Sequence, residues 1–398
     1  MVARNPGQRS LRLLVLGAGP AQLGLLEAAR REGIWTAVAD RDPGAPGFAF
    51  ADRRCIVSTE DEPAIERLAA ALDLDGIIAP GTDWPVAVAA RVAAKLNLPH
   101  PIDPATGILA TNKLRQRESL AAANVPQPRW QTVTDGAVSL ALPCVVKAPD
   151  RQGQKGLSLV REQSELAPAI AKARAESRNG VALVEELVDG PEVTVIGYSH
   201  AGSYTALAVT DRIVSDPPAF GVALAHVWPS VHGGEAAEVA RQGVEALGIM
   251  NGPTYAQLRV GADGPKVIEI AARLGGGHDG ELVWAATGVD LNALALAAAF
   301  GNAGEPAITG EGAGGAVTRF LVPPEGTLEA VEVPEDLVGV ERVRLYRSPG
   351  HLFGPFRYGS DRAGAVLTVG GSREEAVERA EVAADRIRFV TADAGALV

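Results

Sequence analysis

The sequence predicts an α/β domain followed by a larger α+β region. Three observations carry this reading. Residues 11–100 alternate short, continuous apolar runs with segments whose apolar residues recur at helical spacing, the pattern of a parallel sheet covered on both faces. The stretch "LPHPIDP" then breaks the alternation with three prolines and marks a domain boundary. Beyond it short strands dominate with few helices between them, an antiparallel, hairpin-rich signature.

Taken in order, the first strands are expected at "LRLLVLG", "TAVAD", "RCIVS" and "DGIIAP". Helices are expected between them at "PAQLGLLEAARREG", "EPAIERLAAALDL" and "DWPVAVAARVAAKLNL". A further helix, "NKLRQRESLAAAN", covers 112–124, and the strands "CVVKA", "LSLV", "ALVEELV", "EVTVIGYS" and "SYTALAVT" follow. Two apolar helices are expected near 236–247 and 281–300. A Gly-rich segment at 310–315 leads to the strands "AVTRFLV", "RVRLYR" and "AVLTVG". The last helix opens at "SREE", where Ser372 and Glu375 form a capping box, and is expected to run to about Val390. No repeat or low-complexity tract interrupts this order.

The length of 398 residues suits two or three domains, each able to bury a core. A net charge of −11 argues against a general nucleic-acid or anionic-membrane binder, which needs a basic face. Cys55 and Cys144 sit in apolar runs and read as small core residues. Arg4 and Arg9 before "LRLLVLGAGPAQLGLL" imitate a leader, but the Gly-Ala-Gly-Pro turn cuts the apolar run short, so a first strand is expected instead. "LNALALAAAFG" is too short to span a bilayer. The expected compartment is the cytoplasm, with no membrane or nucleic-acid partner.

Several stretches carry chemistry. Gly17, Gly19 and Gly24 follow the first strand and Asp40 ends the second. This imitates a dinucleotide fingerprint, but Gln22 stands where the third glycine belongs, so a tight strand-to-helix turn is favoured over a nicotinamide site. No Walker A sequence is present. Lys113, Lys147 and Lys155 are the candidate phosphate ligands. Lys147 ends a buried-type run, where an unpaired ammonium is costly and a phosphate would pair it. Gly153 and Gly156 let the adjoining loop approach phosphate oxygens. "LVEELVDGPEV" places Glu185, Glu186 and Glu192 around a strand and turn; an edge strand with solvated acids and a nucleoside pocket both fit. In "TYAQLRVGADGPKVIEIAARLGGG" a five-residue loop pairs Gln257 with Glu269 and Leu258 with Ile268. Glu269, Ala271 and Arg273 then share a face with Gln257, while Ile268 and Ile270 face the core. That face suits a magnesium–phosphate site, and a surface Glu–Arg pair fits it equally well.

The order of these pieces resembles the ATP-grasp superfamily: an α/β domain, "NK" on a helix, "VVKAP", the Gly loop, "VEELVDGPE" and "VIEIAARLGGG". The likeness is nearest to carboxylate–amine ligases such as L-amino-acid ligases, and to biotin-carboxylase-like proteins. It implies a Rossmann-like domain at 1–111, a small lobe or lid at 112–184, a large lobe with the nucleotide and metal site at 185–310, and the rest of that lobe at 311–398. It implies ATP and Mg2+ as cofactors, with Lys113 and Lys147 on phosphates and the Gly153–Lys155–Gly156 loop closing over them. Glu185, Glu186 and Val188 would hold adenine, Glu192 ribose, and Glu269 and Gln257 the metal. Arg273 would act, with Lys147, on the transferred phosphoryl group. Gly275–Gly277, His278 and Asp279 follow Arg273 and are expected at the acceptor pocket, with His226 facing the same cleft. Two positions depart from the family: Gln257 replaces a carboxylate and Ala271 a residue often Asn. The implied reaction is ADP-forming ligation of small-molecule carboxylate and amine substrates through an acyl phosphate, by a chain compatible with a homodimer. The alternatives are a bicarbonate-activating carboxylase and a nucleotide-binding protein with an impaired metal site.

Overall fold

A computed structural model describes residues 9–134, 138–310 and 312–392; Arg4 and Glu311 lie outside them. The chain opens with β1 (Arg12–Leu16), α1 (Leu23–Arg31), β2 (Trp35–Asp40), β3 (Arg53–Ile56), α2 (Glu62–Ala70), β4 (Gly76–Ile78) and α3 (Asp83–Leu96). The four strands form a parallel sheet in the order β3-β2-β1-β4. Leu13 to Leu16 are all fully buried, because helices cover both faces of β1. Asp103 caps α4 (Pro104–Ala110), so the proline-rich break leads into a helix that the sequence reading passed over. α5 (Lys113–Ala122) follows, capped by Asn112.

The second sheet is small and antiparallel. It holds β5 (Trp130–Val133), β6 (Cys144–Lys147), β7 (Ser158–Val160) and, after α6 (Gln163–Glu176), β8 (Ala182–Glu186). The order β5-β8-β6-β7 makes β8 an interior strand, which corrects the edge-strand alternative for "LVEELV". α6 also escaped the sequence reading; it carries Pro168 and presents only a narrow apolar face, with Leu166, Ala169 and Ala173 buried.

The third sheet is the largest. β9 (Glu192–His200), β10 (Ser203–Val214), β11 (Ala223–Trp228), α7 (Gly233–Ala246), β12 (Gly252–Gly261), β13 (Gly264–Ala271), α8 (Asp279–Thr287), α9 (Leu291–Ala299) and β14 (Gly315–Leu321) lead to β15 (Gly326–Glu332), β16 (Val340–Leu345), β17 (Leu352–Phe353), β18 (Gly364–Gly370), α10 (Arg373–Arg386) and β19 (Arg388–Ala392). Eight strands pair in the order β13-β12-β9-β10-β11-β14-β18-β16, and β17-β15-β19 form a separate three-stranded sheet. One apolar cluster joins the first sheet to the largest: Leu14, Ile77 and Val88 share it with Val195, Ala256 and Ile270. The small sheet packs on α6 with a core of its own, including Cys144, Val146, Ala173 and Val184.

Three expectations need correction. The segment 281–300 is two helices, because Gly288 takes a left-handed φ of 74° and Asp290 caps a new helix at Ala293. The last helix stops at Arg386, and Phe389 and Val390 lie in β19, paired with β15. The β12–β13 turn holds two residues, not five, since Gly261 pairs with Gly264. A bulge then skips Ile268, so Leu258 pairs with Val267 while Gln257 still meets Glu269. A bulge inserts one unpaired residue and re-aims its neighbours; here it takes Ile268 out of the core and into the wall of a cavity.

Candidate active site

That cavity, of about 880 Å³, lies where the first, second and largest sheets meet. Lys113 enters it from the start of α5, Lys147 from the end of β6, and Gly153, Lys155 and Gly156 from the loop between β6 and β7. Glu185, Glu186 and Val188 line it at and after β8, and Glu192 at the start of β9. Gln257, Glu269 and Arg273 come from the β12–β13 hairpin and its exit, His226 from β11, and Gly276 and Gly277 from the turn before α8. His278 does not line it. Its ring is buried and its Nε2 lies 2.5 Å from the Tyr346 hydroxyl.

The charges are paired in a way the sequence does not display. Lys147 Nζ is 2.6 Å from Glu185 Oε2, and Arg117 Nε donates to Glu185 Oε1 at 2.7 Å. A carboxylate thus pairs the strand-ending lysine where a phosphate was expected. Burial opposes ionisation of Glu185, but Arg117 and Lys147 outweigh it and hold the carboxyl down to about 2. Both oxygens are taken, so this side chain is not free to read adenine. Glu186 is held by Lys266 at 2.8 Å and Arg129 at 2.5 Å. Glu192 pairs with Arg212 and accepts from Gln257 Nε2 at 3.0 Å, so the ribose expectation also meets an occupied carboxylate. Glu269 Oε1 is 2.7 Å from Lys113 Nζ. Burial raises the Glu269 pKa and Lys113 more than reverses it, leaving the group below the usual range. Arg273 grips Asp83 at the start of α3 (Nε–Oδ1 2.7 Å). Its guanidinium lies 5.3 Å from the Tyr255 ring centroid.

Sequence reasoning missed Asp83, Arg117, Arg212 and Arg362. Arg117 had a local signal: it stands one helical turn after Lys113, on the same face. Its fully buried guanidinium also donates to the carbonyls of Val267 (2.9 Å) and Ile268 (2.7 Å), tying α5 to β13. Arg362 had none. It lines the cavity, sits 3.7 Å from the Phe320 ring centroid and donates to the Gly359 carbonyl at 2.8 Å. Burial depresses its pKa to about 10, and Arg212 adds to this. Burial, Arg212 and Arg362 together push the His226 pKa down to about 3, so His226 is neutral at physiological pH.

The turn at Gly17–Gly19 also lines the cavity, but Asp40 is spent on the turn itself. Its Oδ2 accepts from the Ala18 amide at 2.8 Å and its Oδ1 from the Asp42 amide at 2.9 Å, which fits the structural reading of this glycine motif. For a metal, one carboxylate (Glu269) and one amide carbonyl (Gln257) stand opposite each other across the hairpin. No group of three His, Cys, Asp or Glu side chains able to hold a metal occurs among the described residues. The pair therefore suits a magnesium ion that takes most of its oxygens from phosphates and water. Among the described residues no helix is long and apolar enough to cross a membrane.

Comparison with known proteins bears on the family and the fold. Residues 140–280 match the ATP-grasp domain and residues 319–392 match the L-amino acid ligase C-terminal domain 2. The chain is 29% identical over 383 residues to the uncharacterized protein y4rH of Sinorhizobium fredii, covering 88% of this chain and 77% of that protein. It is 27% identical over 416 residues to a formate-dependent phosphoribosylglycinamide formyltransferase of Burkholderia lata, covering 96% of each. Among solved structures, the L-amino acid ligase of Bacillus licheniformis superposes with a TM-score of 0.81 at 23% identity, over 97% of this chain and all of that one. The biotin carboxylase domain of the Hydrogenobacter thermophilus 2-oxoglutarate carboxylase gives 0.80 at 18% identity, over 96% and 91%. The two structures speak for the fold, and the domain matches place two parts of the chain: residues 140–280 belong to the ATP-grasp domain family, and residues 319–392 to the second C-terminal domain of L-amino acid ligases.

Proposed function

We propose that the chain is an ADP-forming ligase that joins a small-molecule carboxylate to an amine. One observation carries the reading: cationic side chains from three regions, Lys113, Lys147, Arg273 and Arg362, converge on one cavity that the Gln257–Glu269 pair also faces. Such a cavity suits a polyphosphate and a second anion held side by side. In the proposed reaction the substrate carboxylate attacks the γ-phosphorus of ATP, giving an acyl phosphate and ADP. The amine then attacks the acyl carbon, expels phosphate and loses a proton. Lys113 and Lys147 would hold the phosphates, exchanging part of their contact with Glu269 and Glu185 for phosphate oxygens. Gly153, Lys155 and Gly156 would cover them. The segment from Glu185 to Val188 would flank the base and Glu192 the ribose, in both cases through atoms other than the ion-paired oxygens. Arg273 would bear the charge that shifts during transfer, where preorganised cations act most. Glu269 and Gln257 would hold Mg2+, which when bound neutralises phosphate charge. Arg362, His226, Gly276 and Gly277 would face the carboxylate and amine. These parts divide at 1–111, 112–184, 185–310 and 311–398, with α5, at the start of the second part, tied to β13 through Arg117.

Support comes from the domain matches, from the L-amino acid ligase fold and from the formyltransferase relatives. Hydroxylamine offers the test. With a panel of carboxylates and MgATP, a substrate acid should be trapped as its hydroxamate, with ADP and phosphate released in equal amounts. Glu269→Gln should abolish this. AMP and pyrophosphate in place of ADP and phosphate would sink the acyl-phosphate reaction. The tie between the Gln257 amide and Glu192 favours one second reading, a nucleotide-binding protein with an impaired metal site; that reading expects no ADP with any acid. ADP release needing only bicarbonate would move the chain to the carboxylases.

A further inference from the structure

The loop between β6 and β7 reaches beyond the cleft it lines. Gln152 Oε1 accepts from the backbone amide of Asp83 at 2.8 Å and lies 3.4 Å from that of Trp84. These are the first two residues of α3, whose own N-cap, Thr82, gives no side-chain cap. The first amides of a helix have no intrahelical partner, and here a residue of the small lobe satisfies them. A second tie runs beside it. Arg178 donates to Glu60 at 2.6 Å and stacks over the Trp84 ring, 3.8 Å from its centroid. The loop can reach α3 because Gly153 and Gly156 turn it at φ of +64° and +71°. The residue whose amide Gln152 holds is also the residue whose carboxylate holds Arg273. Loop, helix start and phosphate-facing arginine thus meet at Asp83.

We propose that Gln152 is a latch: by capping α3 it ties closure of the loop over the cleft to the placement of Arg273, and so it acts as a positioning residue for the reaction. The proposal rests on the ligase reading for its nucleotide. With the loop down, α3 is capped, Asp83 is fixed and Arg273 is aimed along the cavity. With the loop up, the start of α3 loses its cap and Asp83 is free to shift. Closure and the N-terminal domain then favour one another, since whatever stabilises one state of the shared contact stabilises it for both sides.

AMP-PNP with Mg2+ is the probe, read by calorimetry and by hydrogen–deuterium exchange over residues 82–86. In the unaltered protein AMP-PNP should slow exchange at the amides of Asp83 and Trp84. Gln152→Ala should lose that gain and bind AMP-PNP about fivefold more weakly, the size expected for one helix cap. Gln152→Glu should keep both, because a carboxylate also accepts at a helix N-terminus. A purely structural role would lower the unfolding midpoint of Gln152→Ala and leave the AMP-PNP-dependent protection intact; that outcome overturns the latch. AMP-PNP binding with no change at residues 83 and 84 of the unaltered protein overturns the latch alone. No AMP-PNP binding by the unaltered protein overturns the nucleotide reading and the latch with it.

Discussion

The small sheet and the two sheets flanking it are held by different forces. Leu14, Ile77, Val195 and Ile270 belong to one apolar cluster, so the N-terminal and largest sheets share a core. The small sheet closes its own core with α6, and its ties to its neighbours at the cleft are polar: Glu185 to Arg117, Gln152 to the start of α3, and Arg178 to Glu60. Separating a shared core exposes apolar area at about 25 cal/mol per Å². Breaking a hydrogen bond that water replaces costs only about 0.5–1.5 kcal/mol net. The two larger sheets thus form one apolar unit that the small sheet meets through polar ties, and the cavity-lining groups are divided between the two. Lys147 and the Gly loop belong to the small sheet; Glu269, Gln257 and Arg273 belong to the largest sheet and its exit.

The hardest way to break this contrast is at Arg117, where the two regions touch through one buried guanidinium. Arg117→Ala leaves Glu185 with Lys147 alone and two carbonyls of β13 without their donor. Removing one member of a buried ion network costs about 3–5 kcal/mol, so urea unfolding should shift by that order. A loss under about 1 kcal/mol would show that the junction is solvated.

Asp279 sharpens the contrast from the side of the larger sheets. Its two oxygens are buried with no side-chain partner among the described residues, and burial, aided by Glu281, raises its pKa to about 7 from 3.8 although Arg273 opposes this. Between those values the folded state binds more protons than the unfolded one. Stability therefore falls as pH rises through that window, and the full cost is present above pH 7. Asp279→Asn should stabilise the protein at pH 8.5, on the order of 4 kcal/mol, and leave it nearly unchanged at pH 4. Glu185, at the lobe, has the opposite sign: its folded pKa of about 2 lies below 4.5, so its contribution is present above pH 4.5 and lost as pH falls toward 2. Equal effects of Asp279→Asn at both pH values would remove the buried-acid assignment.

The smallest expected effect tests the separate core. Val146→Ala in β6 should cost about 1–2 kcal/mol, read as faster amide exchange in β5 to β8 with the exchange of β1 and β9 unchanged. Equal acceleration in all of them would mean that the small sheet unfolds only with the larger ones.

Much of this was legible in the chain. The first four strands, the Gln257–Glu269 pairing and the cluster of Lys113, Lys147, Gly153 and Gly156 all leave local signatures. What escaped was of two kinds. α6 hid because its apolar face is narrow and contains a proline. Asp83, Arg212 and Arg362 hid because a charged residue shows its role only through its partner, and the partners of Asp83 lie 69 and 190 residues away. The Gln257–Glu269 register came out as expected although the turn length did not, since the bulge at Ile268 offsets the shorter turn.

By itself the sequence determined most of the strands and helices, though not α4 or α6, and marked Lys113, Lys147 and the Gly loop as candidates for one site, because apolar period, turn glycines and capping residues act within a few positions along the chain. The tertiary structure alone decided how those charges are spent. Glu185, which read as a nucleoside ligand, became the counterion of Lys147 and Arg117. Gln152, in the loop between β6 and β7, became the cap of α3. The physical reason is the same in both cases. Desolvation makes every buried charge and amide seek a partner, and which partner lies within reach is fixed by how the sheets pack.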